Sequence, residues 1–426
     1  MKVLIISHNA LSTRQNMGKT LAALFSGFRR EELCQLFIYP TLPDLDACSS
    51  QYRVTDRDVL RFYTSFRMGG GEVGAVAETE AGSGGMSAGE TAFYRNRRNK
   101  TAFRMLARDW MWRLAPWYTE ALRDWLRREK PTHIFVAPGT QSFLYEIALK
   151  ISRDFSLPIV CYICDDVYFL QPERTLFGRV QSTYQKSRFR RLMASTSAGI
   201  GICEAIRERY GEEFGVPFTV VMTGAGRAVS ETAQVSSHPS LLSYFGGIRD
   251  NRYRSLADIG RALDALNGRL GKAWELRIYS SEQDEEILSA LEGIPSIRWM
   301  GYVSGEAYRD AFEGTDFLVH VEGFDARSMD TVKYSVSTKI ADSLASGKPM
   351  FAYAPAQVAS MRHLLQTGSA VCVTDEKNLE ESLERMFTDT QLCRETAERG
   401  LRTAAQVHDR EANTRRVRQV LEDPEE

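Results

Sequence analysis

Three arginines, Arg249, Arg252 and Arg254, follow a glycine pair at the end of the apolar run LLSYFGGI and feed a helical pattern. Guanidinium forks match phosphate oxygens two at a time, so arginines beside the free N–H groups of a helix start make a candidate diphosphate clamp. A solvated basic loop is the plainer reading. A second cluster lies in HVEGFDARSMDTVKYSVSTKIADSLASGKP. There Ser335, Ser337 and Thr338 can cap a helix whose first turns carry Lys339 and Asp342 on one face. Hydroxyls and a lysine at a helix start suit an anion, and a carboxylate one turn later suits ribose hydroxyls. Near the N-terminus, the strand KVLIISH runs into a loop and then into Gly18-Lys19-Thr20, which opens an apolar helix. Both GxGxxG and the full P-loop pattern are missing there. Gly18 is therefore either a close-approach point for a phosphate or a turn residue. Asp165 and Asp166 end the run PIVCYICDD, where they can bind hydroxyls, act as a base, or only cap the next helix.

Other chemistries find little support. Cys161 and Cys164 form a CxxC, but it sits in an apparent strand whose alternation sends the two thiols to opposite faces, and no second pair at ligand spacing accompanies it. The seven cysteines among 426 residues fit reduced thiols in a cytoplasmic protein. His8 and His320 stand at strand ends, where packing is the ordinary role. With 54 Lys plus Arg against 55 Asp plus Glu, the chain has no charge excess that would gather nucleic acid. Its opening apolar run is too short for a signal peptide or a spanning helix.

The elements that must position these groups alternate between short β-branched runs and longer helical patterns, the mark of parallel sheets with crossover helices. Six candidate strands end near Gly226 and six more run from Leu241 to Thr374, with the unpatterned Ser230 to Pro239 between them. The expectation is an α/β protein with an N-terminal Rossmann-like domain over 1–230, a second over 239–405, and a C-terminal helix over 406–426. Residues 69–90, with eight of the 31 glycines, read as a mobile insertion. Just beyond it, Arg95 to Arg113 holds seven basic residues against one acid, and four of the six tryptophans fall between Trp110 and Trp125. Phe103, Arg104, Arg108 and Trp110 on this helix are candidate contacts to an anionic membrane surface. The alternative is a helix that packs its aromatics on the first sheet and leaves its arginines in water, and Pro116 must end or restart it.

The second half resembles the retaining nucleotide-sugar glycosyltransferases of the GT-B fold, family 4-like and of polysaccharide-biosynthesis type. The resemblance rests on the glycine-ended strand with its NRYRSL loop, the GYVS turn, and STKIADSLASGKP. It implies two facing Rossmann-like domains with an interdomain cleft and a sugar moved from a nucleoside-diphosphate sugar to a saccharide or lipid-linked acceptor; since arginines and helix starts supply the positive charge and no aspartate pair apart from Asp165-Asp166 could hold a metal, the expectation is a reaction without metal or cofactor. The resemblance gives Arg252 and Arg254 the donor diphosphate, Arg254 in the usual lysine's place, with Arg249 as a further candidate. Lys339, Ser337 and Thr338 would meet the phosphates and Asp342 the ribose. Two glutamates often stand near this helix; here Asp342 takes the second position, and the first falls at Tyr334 or Ser335, which are not acidic. Glu322 and Asp325 on the preceding loop would then approach the sugar. In the first domain HNALSTRQNMGKTL resembles the family's opening loop, placing Gly18 near the phosphates and Asn16 at the acceptor. The loop carrying Asp165 and Asp166 would supply acceptor contacts or the base. A catalytically silent sugar-binding or partner module and a sugar-nucleotide epimerase of the same fold are the competing readings.

Overall fold

The computed structural model describes residues 1–12, 16–40, 43–74, 102–172 and 174–423, which form two compact units, Met1–Val221 with Arg410–Glu426, and Met222–Asp409. In the first unit, eight strands lie in the order β4-β3-β2-β1-β5-β6-β7-β8. The strands expected from sequence are β1 (Val3–Ser7), β2 (Leu33–Phe37), β5 (His133–Ala137), β6 (Ile159–Ile163), β7 (Thr196–Gly201) and β8 (Phe218–Val220). Apolar side chains cover both faces, as a sheet with helices on either side requires. Two edge strands had no such signal. β3 (Ser50–Arg53) is four residues of mixed polarity, and β4 (Gly71–Glu72) is a two-residue antiparallel addition to it. The insertion expected over 69–90 thus begins with β4, while its part from residue 75 onward lies outside the described residues, as does the basic stretch through residue 101.

The aromatic cluster divides by depth. Helix α3 (Ala102–Leu114) stops ahead of Pro116, and α4 (Glu120–Glu129) restarts with the Thr119 hydroxyl accepting from the Leu122 N–H. Trp112 and Trp125 are fully buried, their indole N–H groups donating to Asp56 Oδ1 at 2.7 Å and to Ser50 Oγ at 2.7 Å. The Trp125 bond ties α4 to β3, which lacked a sequence signal, and the Trp112 bond ties α3 to the start of the helix Asp56–Ser65 that follows β3.

The chain's end belongs to this first unit. Helix α16 (Arg410–Glu422) buries Val417, Val420 and Leu421 in the core around β1, and Arg418 grips Glu32 with two bonds of 3.0 and 3.1 Å while lying over the Phe28 ring. That guanidinium holds the Glu32 carboxyl down at about 2. The C-terminal helix expected over 406–426 runs from Arg410 to Glu422. Arg410–Glu426 completes the N-terminal unit, because an amphipathic helix buries its apolar stripe wherever an open core face exists.

The second unit carries six parallel strands in the order β11-β10-β9-β12-β13-β14. They are β9 (Leu241–Phe245), β10 (Glu275–Tyr279), β11 (Ile297–Gly301), β12 (Phe317–Val321), β13 (Met350–Tyr353) and β14 (Val371–Val373), all six as read from sequence. Numbered within the unit this is 3-2-1-4-5-6, the doubly wound order, whose switch point lies between β9 and β12. Helix α8 (Arg252–Leu270) packs on it through Leu256, Ile259, Leu263 and Leu266, and Trp274 stacks on Phe387 at 4.0 Å. Ser230–Pro239, expected as a linker, hydrogen-bonds into this unit through Ser230 N–H to Ala345 O and Gln234 N–H to Gly347 O.

Candidate active site

Ligands of doubly wound sheets bind beyond the carboxyl ends of the strands where strand order reverses. In the second unit that place is built from the Gly246-Gly247 turn after β9, the first turn of α8, Glu322 after β12, and α12 (Thr338–Ala345). Gly246 has φ 155°, and a Cβ built on it would stand 3.2 Å from Lys339 Nζ and 3.2 Å from Tyr244 Oη. A side chain there would press on the lysine, so the glycine is what lets the ammonium lie against the turn. Tyr244 Oη donates to Gly247 O at 2.7 Å and braces the same turn.

Arg252 and Glu322 form the floor. Arg252 Nε donates to Glu322 Oε2 at 2.6 Å, and Glu322 is only 3% exposed. Burial pushes the Glu322 carboxyl upward while Arg252 and Lys339 oppose that shift. The neighbouring loop is fastened by Ser255 Oγ donating to Glu322 O at 2.8 Å. His320 shares a 3.0 Å hydrogen bond between Nε2 and Ser360 Oγ, and burial, reinforced by Arg252 and Lys339, depresses its imidazole to about 3. Both cations thus act on the same two side chains, which places them in one neighbourhood. Lys339 itself is lowered by desolvation and by repulsion from Arg252, and no salt bridge holds it among the described residues. A poorly solvated ammonium facing a second cation at a switch point is an arrangement that an anion would stabilise.

Not every predicted residue joins this cluster. Arg249 is committed to Glu282 by two bonds of 2.7 and 2.9 Å. Arg254 is exposed and turns to its neighbour, Nε donating to Tyr253 Oη at 3.1 Å. Asp325 is the N-cap of α11 (Ala326–Val332), accepting from Ser328 N–H at 3.0 Å and Asn251 Nδ2 at 2.6 Å; these bonds overcome its burial and hold it at about 2. Ser337 occupies the N-cap of α12, but its side chain makes no capping bond, contrary to the capping role expected. Asp342 accepts from the Gly226 N–H at 2.5 Å and so ties the segment after β8 to α12.

In the first unit, β1 ends at the loop expected to meet the donor. Gln35, fully buried on β2, holds that loop by donating to Ser7 Oγ at 2.9 Å and Asn9 O at 3.1 Å and accepting from Leu11 N–H at 2.9 Å. This residue carried no motif signal. Asn16 begins α1 (Asn16–Leu24), and a Cβ on Gly18 would fall 2.4 Å from Ala10 O, so close packing of the loop onto the helix requires the glycine. At the end of β6, Asp165 is exposed, whereas Asp166 is 6% exposed. Asp166 Oδ1 receives Tyr210 Oη at 2.6 Å and the N–H groups of Tyr168 and Phe169 at 3.0 Å each. With three donors on one buried oxygen, Asp166 organises the turn after β6, whereas the next helix, Leu176–Met193, is capped by Thr175 and by neither aspartate. Asp166→Asn keeps an acceptor oxygen and is expected to retain turnover within a few-fold. A loss of a thousand-fold or more in a folded variant would mean that the carboxylate acts as a base.

Helix α3 answers its two readings residue by residue. Arg108 does not face outward, because its Nε donates to Asp56 Oδ1 at 2.9 Å and its guanidinium lies over Phe143. Phe103, Arg104 and Trp110 are exposed.

Residues 254–422 match a family model described as Glycosyl transferase-like. Solved structures of the same architecture include HepE from Anabaena in complex with UDP and glucose, with a TM-score of 0.62 and 12% identity over 99% of this chain and 100% of that one. Sucrose-phosphate synthase from Thermosynechococcus elongatus aligns with a TM-score of 0.62 and 10% identity over 99% of this chain and 98% of that one. WaaG, a glycosyltransferase involved in lipopolysaccharide biosynthesis, aligns with a TM-score of 0.55 and 11% identity over 98% of this chain and 99% of that one. No curated protein matches the chain. The architecture is thus the GT-B fold, an α/β arrangement of two Rossmann-like domains. Within it, residues 254–422 are the part that is similar to the glycosyl transferase-like family model.

Proposed function

We propose that the protein is a retaining glycosyltransferase that moves a sugar from a nucleoside-diphosphate sugar to a saccharide or lipid-linked acceptor in polysaccharide or glycoconjugate synthesis. The observation that carries this reading is the convergence of Arg252 and the unpaired, desolvated Lys339 on the glycine turn at the β9/β12 switch point. As the glycosidic bond lengthens, charge develops on the leaving diphosphate, and fixed cations stabilise it without reorganising. Lys339, Arg252 and the first N–H groups of α12 fill that role, Ser337 and Thr338 add hydroxyls, and Arg254 and Arg249 are outer donors. Positive charge supplied by side chains makes the reaction independent of metal and of any resident cofactor, the nucleotide sugar being a substrate. Asp342, one turn into α12, is the candidate for the ribose hydroxyls. Asp165 and Asn16 are the candidates of the first unit for acceptor hydroxyls. The setting is the cytoplasmic face of a membrane, with the exposed aromatics of α3 as its support.

Calorimetric titration with nucleoside diphosphates tests the donor site, with UDP as the first probe because HepE is a UDP complex. Lys339→Met is expected to weaken binding by about 10- to 100-fold, the loss of one charge-assisted contact. Unchanged affinity in a folded variant would reject the assignment. Tyr334 and Ser335 in place of an acid favour a second reading, a sugar-binding module without turnover. Release of nucleoside diphosphate from a donor sugar in the absence of acceptor would eliminate it.

A further inference from the structure

Nine of the fourteen exposed large hydrophobic residues among the described ones lie on three packed helices of the first unit and their immediate ends. Helix α2 (Asp56–Ser65) and its C-cap present Leu60, Tyr63 and Phe66, the last 84% exposed. Helix α3 (Ala102–Leu114) presents Phe103, Trp110 and Leu114, and α6 (Leu176–Met193) presents Leu176, Phe177 and Val180. The three form one surface. Tyr63 Oη donates to Met111 O at 2.7 Å, joining α2 to α3. Phe103 meets Phe177 edge-on at 5.4 Å, and Trp110 stacks on Tyr184 at 6.4 Å. Each contact advances by the same number of residues along both helices, so α3 and α6 run side by side in one direction and share an aromatic seam.

Among the described residues of these three helices, the exposed charges have one sign. Helix α6 contains no acidic residue, and the single acid of α3, Asp109, is 4% exposed. On α2, Asp56 is 1% exposed and held by Arg108, while Asp58 is turned back onto Thr55 in a capping box. Exposed Arg57, Arg61, Arg104, Arg113 and Arg179 flank the apolar side chains. At the C-terminal end of the seam lies a cavity of about 310 Å³ walled by Arg113, Trp117, Lys150, Tyr184 and Arg191, with Asp109 buried in its wall and Glu146 paired to Arg188 and Arg191.

We propose that the α2–α3–α6 face docks on an anionic lipid surface, the aromatic seam entering the interface and the arginines meeting the headgroup phosphates. This deepens the peripheral-membrane part of the functional reading and uses residues other than those of the donor site. Exposed aromatics with cations and, among the described residues of these helices, no exposed carboxylate match the composition of an interfacial surface. A second copy of the chain would oppose arginine to arginine across a two-fold contact, so the charge pattern selects lipid over self-association.

Cosedimentation of the full chain with vesicles of phosphatidylcholine alone, or with about one third phosphatidylglycerol, tests this. Binding is expected to the mixed vesicles only and to weaken with added salt. Phe177→Asp and, separately, the pair Arg113→Glu with Arg179→Glu are each expected to lower partitioning by tenfold or more. Nucleoside diphosphate affinity should stay at the wild-type value, which reports the fold and separates this inference from the donor site. Wild-type protein that ignores the mixed vesicles would overturn the proposal, as would variants that partition equally well. So would a dimer, seen by ultracentrifugation, that Phe177→Asp dissolves.

Discussion

Arg252→Met is expected to cost the second unit about 3–5 kcal/mol of stability and to abolish measurable nucleotide binding, and the two losses can be separated. The stability cost arises because Glu322 is 3% exposed and is salt-bridged by Arg252; removing the cation leaves a charge or a protonated carboxyl in a site shaped for neither. Replacing both partners, Arg252→Met with Glu322→Leu, removes the uncompensated carboxylate and is expected to return stability to within about 1–2 kcal/mol of wild type, since a well-packed apolar pair commonly matches a buried ion pair. Nucleotide affinity should not return, because the guanidinium proposed to meet the phosphate is still missing; the expected deficit is about 100-fold or more. Chemical denaturation and calorimetry on the three variants decide the matter. A double variant that regains both stability and affinity would show that Arg252 serves only the fold.

Acid should loosen the second unit before the first. His320 and His363 are depressed to about 3 and about 4 by burial, with Arg252 and Lys339 adding to the effect at His320 and the facing His408 adding to it at His363. His408 is lowered too, its burial partly offset by the Thr223 carbonyl, and its Nε2 lies 3.1 Å from His363 Nε2. A folded pKa below the unfolded value of about 6.5 means that the unfolded chain binds the extra proton. Stability is therefore whole above that value and falls as pH drops toward the folded values. Each imidazole gives up about 1.4 kcal/mol per pH unit, so His320 and His363 together remove about 4 kcal/mol by pH 5. Glu322, raised by burial, offsets a part of this. In the first unit Asp109 is raised to about 6, chiefly by desolvation, so protonation below that value favours its folded form. Calorimetric scans at pH 7 and pH 5 are expected to show one transition moving down much further than the other. His363→Gln should flatten that movement, and an identical shift in wild type and variant would refute the assignment.

The proposed donor cluster was legible in part. Glycines ending a strand and cations at two helix starts pointed to the place where β9 and β12 part, because those signals are local and the switch point follows from strand order. Which arginine faces inward was not legible. Arg249, Arg252 and Arg254 lie within six positions of one another, yet Glu282, Glu322 and Tyr253 draw them apart, and two of those partners are distant in sequence. Gln35, which fixes the loop after β1, escaped notice because a lone glutamine in a strand has no spacing to mark it. Asp166 was ambiguous for the same reason, its decisive partner Tyr210 lying on a helix more than forty residues away.

The fold class could be read from the chain alone: among the described residues, twelve of the fourteen strands stand where short β-branched runs stood, because period and composition act within a few residues. Only the tertiary structure decided that Arg410–Glu426 closes the first unit, that Trp112 and Trp125 are core while Trp110 is surface, and that Lys339 lies unpaired beside Gly246. Burial and charge pairing depend on neighbours brought from afar, and no local pattern along the chain records which neighbours those are.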